Sequence, residues 1–154
     1  MRGAAVRLVL AAGLLAGAAG AARAADRLAE LFVPAEELSG GFEIVPEVSG
    51  DPANDADFRA LGVEAVRAQH YTRAVGRVAE VCSVEVWAFS SEARAEKALG
   101  EIDYPAWRFL RHGELLILLR GVHFELGGGL EPGLFPACHE IGERTRARAA
   151  ARWP

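Results

Sequence analysis

The run from Val75 to Ser90 (VGRVAEVCSVEVWAFS) constrains this chain more than any other stretch. It is rich in Val, Trp and Phe and predicts one long strand. In its later half Val84 and Val86 oppose Trp87 and Phe89, so both faces are apolar. Such a strand lies in the middle of a sheet with cover on both sides, or it presents one large aromatic patch.

The flanking segments extend the pattern. Asp26 to Phe32 reads as a short opening helix, and Ser39-Gly40-Gly41 as a turn. Phe42 to Val45 forms strand one, ended by Pro46. Ser49 to Asp57 (SGDPANDAD) reads as loop, because it holds Gly, Pro, Asn and Asp and almost no large apolar group. Its acids, Asp51, Asp55 and Asp57, fail the order of a calcium-binding loop. Val63 to Thr72 is strand two, with a hairpin turn expected between Arg73 and Gly76.

After the long strand, Ser90 or Ser91 caps a helix whose Ala95, Ala98, Leu99 and Ile102 fall on one face, and Pro105 stops it. Phe109-Leu110 leads to a turn at His112-Gly113. Glu114 to Arg120 is strand four, and Val122 to Leu126 is strand five or the same strand past a bulge at Gly121. A glycine loop follows at Gly127 to Gly129, and a last helix runs from Pro136 to about Ala151. Sequential, short-looped strands favour antiparallel pairing. The expected fold is α+β: an antiparallel sheet of four to five strands with two main helices packed on one face.

The first 24 residues have the marks of an export leader. Arg2 and Arg7 precede an apolar run from Leu8 to about Ala19, and Ala22-Arg23-Ala24 supplies a small-x-small cleavage pattern. Cleavage after Ala24 leaves residues 25–154, 130 residues, as a single domain. The leader's apolar run, about a dozen residues, falls short of the roughly 20 that cross a bilayer, and no other segment qualifies. The mature chain is therefore expected to be soluble, in the periplasm or outside the cell. It carries 14 basic and 21 acidic residues, a balance of −7 that argues against nucleic-acid binding. Its basic cluster, Arg144, Arg146, Arg148 and Arg152, reads as a solvated helix end. All basic residues but Lys97 are Arg, and heavy Ala and Gly use points to a GC-rich bacterial genome.

Two cysteines, Cys82 and Cys138, both lie in the mature part. An even count in an oxidising compartment favours a disulfide. Cys82 shares a strand face with Val78, Val84 and Val86, and Cys138 a helical stripe with Leu134 and Ile141, so both point toward an interior.

Catalytic signatures are sparse. The four histidines, His70, His112, His123 and His139, show no H-x-x-H or H-E-x-x-H spacing, so no metal site and no cofactor are expected. The serines form no G-x-S-x-G elbow, and Gly127 to Gly129 lacks the Lys-Ser/Thr of a phosphate loop. Tyr71, Trp87, Phe89 and Trp107 cluster around the long strand and its helix. They read as core or, functionally, as an aromatic-lined pocket for an apolar ligand.

Two stretches resemble small exported bacterial proteins, some of them sensor-like or lipoprotein-like extracytoplasmic domains. Leu31 to Phe42 (LFVPAEELSGGF) is similar to their opening, L-x-P-x-x-L-x-G-F before a first strand. Val84 to Leu99 (VEVWAFSSEARAEKAL) is similar to their strand-then-helix unit. The resemblance implies an exported α+β domain without an active site. This chain lacks the acylated Cys of the lipoprotein members. The first expectation is a non-enzymatic envelope domain that binds a partner or a small apolar ligand. The alternatives are a periplasmic hydrolase using His70, His123, Glu125 or His139, and a structural envelope protein that oligomerises.

Overall fold

The computed structural model describes residues 23–46, 52–125 and 127–153. Most of the expected leader, up to residue 22, lies outside these residues, as do the loop positions 47–51 (Asp51 among them) and Leu126. The first described residues, 23–29, are helical (α1). A 3-10 turn at Ala35–Glu37 then leads to strand β1, Glu43–Pro46. Next come a 3-10 turn at Pro52–Asn54, helix α2 at Ala56–Leu61, and strands β2 (Val63–Val75) and β3 (Val78–Phe89). Helix α3 spans Glu92–Glu101, followed by β4 (Arg108–His112), β5 (Leu115–Glu125), β6 (Leu130–Pro132) and helix α4 (Pro136–Arg152).

The fold is α+β. All six strands join one antiparallel sheet in the order β1-β2-β3-β5-β4. β3 occupies one edge of β5 along its length, while β4 and then β6 share the other. The β2–β3 hairpin closes on Gly76-Arg77, at the far end of the expected turn, which began at Arg73. Gly76 has φ +63°, as a two-residue hairpin turn of this kind requires. Asp55, at a position expected to be loop, caps α2, its Oδ1 accepting from the Asp57 and Phe58 backbone N–H groups at 2.8 and 3.1 Å. Of the two serines that preceded α3, Ser91 is the cap.

Strand alternation sorts the apolar side chains into two cores. On one face Ala65, Tyr71, Cys82, Val84, Val86, Leu115, Ile117 and Leu119 pack under α1 and α4. On the other, Val63, Val66, Trp87, Phe89, Leu116 and Leu118 pack under α2 and α3. The two main helices thus cover opposite faces, not the single face expected. The physical reason is in the central strands: β3 and β5 are apolar on both sides, and a helix layer on one side alone would leave Trp87, Leu116 and Leu118 in water. β5 also runs through Gly121 without a bulge, its ladder with β3 unbroken from Ala88↔Leu115 to Val78↔Glu125. Gly121 is required there because a Cβ would collide with the Gly133 carbonyl oxygen.

Cys82 and Cys138 form a disulfide, with Cα atoms 5.3 Å apart. It joins the middle of β3 to the first turn of α4. The basic cluster of α4 is not simply solvated. Arg144 donates to the Glu37 carbonyl at 2.7 Å, Arg152 to the Glu30 carbonyl at 3.2 Å, and Arg148 pairs with the Glu37 carboxylate. That hydrogen bond to Arg148 holds the Glu37 carboxyl below the usual carboxylate range. Arg27 of α1 stacks over Trp153 at 4.2 Å. These contacts clasp residues 27–37 to the last helix, whose face they share with buried Leu28, Leu31 and Val33. No described helix is long and apolar enough to cross a membrane.

Candidate functional site

The four aromatic residues singled out in the sequence do not line one pocket. Tyr71 faces the α4 side, fully buried, and its hydroxyl both donates to the Val33 carbonyl and accepts from the Val33 N–H at 3.0 Å. Burial pushes this hydroxyl's pKa well above its ordinary value. Trp87 and Phe89 face the α3 side and are 1% and 3% exposed, so both are core. Trp87 packs edge-on against Phe58 and Tyr104, with ring centroids 5.0 and 6.4 Å away, and donates from Nε1 to Glu85 at 2.9 Å.

Trp107 differs. It is half-buried and lines an open groove of about 550 Å³ with Pro105, Ala106, Arg108, Pro132, Gly133 and Leu134. The groove follows from the sheet. β4 pairs with β5 only as far as Leu119 and β6 only from Val122 onward, so their shared edge is interrupted beside Arg120 and Gly121. The chain before β4 and the chain after β6 converge on this notch, and the Gly133 N–H donates to the Gly121 carbonyl at 3.0 Å. Leu134, 37% exposed, forms part of the wall.

Next to the notch a polar row crosses the same sheet face. His70 of β2 stands opposite Ser83 of β3, which stands opposite Arg120 of β5. His70 Nδ1 lies 2.8 Å from Ser83 Oγ. The Arg120 guanidinium sits 6.0 Å from the centroid of the Trp107 ring. Its Nε is buried with no hydrogen-bond partner. Of this row the sequence singles out only His70 as a candidate. The available signal was a lone Arg closing the apolar run Leu115 to Leu119 without leaving the strand.

The residues of the hydrolase reading do not converge. His70 and His123 lie on opposite faces of the sheet, as their ladder partners Ser83 and Glu80 show. The His123 ring stacks on Phe135 at 5.0 Å, while Glu125 and His139 are exposed. Ser83 is within reach of a base, but β3 is paired on both edges at this position. Its neighbouring backbone N–H groups serve the ladder instead of forming an oxyanion hole. Among the described residues no group of three His, Cys, Asp or Glu side chains is arranged to hold a metal ion.

No protein-family model, no curated protein and no solved structure matches this chain.

Proposed function

We propose that this protein is an exported domain of a bacterial cell envelope, made with a cleavable leader at residues 1–24, that binds a small ligand with an apolar body in the groove between β4 and β6. The carrying observation is the groove itself. At about 550 Å³ it falls in the size range of small-molecule sites, and Trp107, Leu134, Pro105 and Pro132 give it apolar walls. The disulfide supports export, because such bonds persist in oxidising compartments.

The test uses residues 25–154 and the environment-sensitive dye Nile red. Dye fluorescence is expected to rise on binding and fall when 1-decanol competes, and Leu134→Asp is expected to abolish both effects. Absence of dye binding to wild-type protein, or binding unchanged in Leu134→Asp, defeats the reading. The Ser83–His70 contact favours a second reading, a hydrolase. Ester-cleaving activity lost in both Ser83→Ala and His70→Ala would support it.

A further inference from the structure

We infer that the ligand of this groove carries an oxyanion head, a carboxylate or a phosphate monoester, and that Arg120 is the side chain that reads it. The inference rests on the groove being the binding site.

Arg120 follows five fully buried residues, Leu115 to Leu119, on a strand paired with β3 along one edge and with β4 as far as Leu119 along the other. A cation placed there is costly unless something compensates it. Its compensation within the fold is incomplete. The guanidinium has the Trp107 ring on one side, and its Nε is the one buried side-chain nitrogen or oxygen without a hydrogen-bond partner among the described residues. The groups that share its face are Ser83 directly across β3, Val81 and Glu85 diagonally, Leu118 and Val122 on its own strand, and Trp107 and Phe109 from the β4 side. Glu85 is the sole carboxylate in this set. It accepts from Trp87 Nε1 and gives the Arg120 Nε no hydrogen bond.

The chemistry of the side chain selects the head group. A guanidinium offers parallel N–H donors at the spacing of two oxygens on one carbon or phosphorus atom. An oxyanion docked there accepts from the outer N–H groups of the guanidinium, beyond the buried Nε, while the alkyl body lies along Trp107 and Leu134 in the adjoining groove. A neutral alcohol of the same length fills the groove equally well and leaves the fork unmatched. Selectivity between the two therefore separates the cations from the apolar walls, and the Arg120 variant separates Arg120 from Arg108, which lines the groove itself.

The experiment is Nile red displacement from residues 25–154 at pH 8 by 1-decanol, decanoate and decyl phosphate. At least one oxyanion is expected to displace the dye at a concentration about tenfold or more below that of decanol, and the stronger of the two identifies the head group. Arg120→Gln is expected to erase that preference while leaving displacement by decanol unchanged. Equal potency of alcohol and both oxyanions on wild-type protein overturns the inference and leaves the groove reading standing. A preference that survives in Arg120→Gln also overturns it. Failure of all three competitors removes both readings. If Arg120→Gln does not fold, the wild-type comparison decides the head group. Arginine labelling by phenylglyoxal, read by peptide mass, then decides the residue: protection of Arg120 by the oxyanion but not by decanol is expected, and equal labelling overturns the assignment.

Discussion

Replacing both cysteines, Cys82→Ala with Cys138→Ala, removes the covalent tie between β3 and α4. The bond closes a loop of 57 residues that contains most of β3 and all of α3, β4, β5 and β6. Loop-closure entropy for that length corresponds to about 4 kcal/mol of stability at 25 °C. Both side chains are fully buried, so the alanines also leave small voids that add to the loss. For a domain of about 130 residues, 4 kcal/mol translates to a fall of about 15 °C in Tm. In urea, at a slope of about 2 kcal/mol/M, it translates to a midpoint lower by about 2 M. The assay is urea unfolding followed by far-UV circular dichroism, with wild-type protein in oxidised and reduced form beside the double variant. Oxidised wild-type protein is expected to stand apart, with reduced protein and variant close together. A midpoint within 0.5 M of oxidised wild type at an unchanged slope, roughly 1 kcal/mol by the same conversion, would refute the argument that the bond restrains the unfolded chain.

Two other predictions follow from single side chains. Tyr71→Phe strands the buried N–H and carbonyl of Val33 and is expected to cost about 1–3 kcal/mol in the same urea assay. Because burial raises the Tyr71 pKa above its unfolded value near 10, the unfolded chain releases this proton first. The contribution is therefore complete below about pH 10 and lost as pH rises beyond it, and Tyr71→Phe should flatten the alkaline fall in stability above about pH 10. Gly142→Ala places a methyl of α4 against the fully buried Leu119 side chain of β5, and a loss of about 1–3 kcal/mol is expected by thermal unfolding.

Much of this fold was legible because it rests on local patterns. The alternation of Val78, Cys82, Val84 and Val86 announced β3 and correctly placed Cys82 on an inner face, where it meets Cys138. The capping serine and the Ala95/Ala98 stripe announced α3. What escaped was decided by pairing partners. β4 (RFLRH) and β6 (LEP) carry little strand signal of their own and exist because β5 offers them an open edge. The placement of the helices was half visible. Apolar residues on both faces of β3 and the run Leu115 to Leu119 require cover on both sides, yet chain order alone does not say which helix goes where. The site was the least legible part. Trp107 drew attention as an aromatic residue, but its neighbours in the groove come from β6 and the loop after it. Arg120 and Ser83 became neighbours only through register.

The clasp between residues 27–37 and α4 has a consequence for how the chain acquires its structure. The segment holding Leu28 and Leu31 is synthesised well before α4, the helix that packs on it. Until Trp153 has been made, these side chains lack their permanent neighbours, and the core around them stays open. Closure of this face thus waits for α4, and loss of either the 27–37 segment or α4 would expose the same hydrophobic seam.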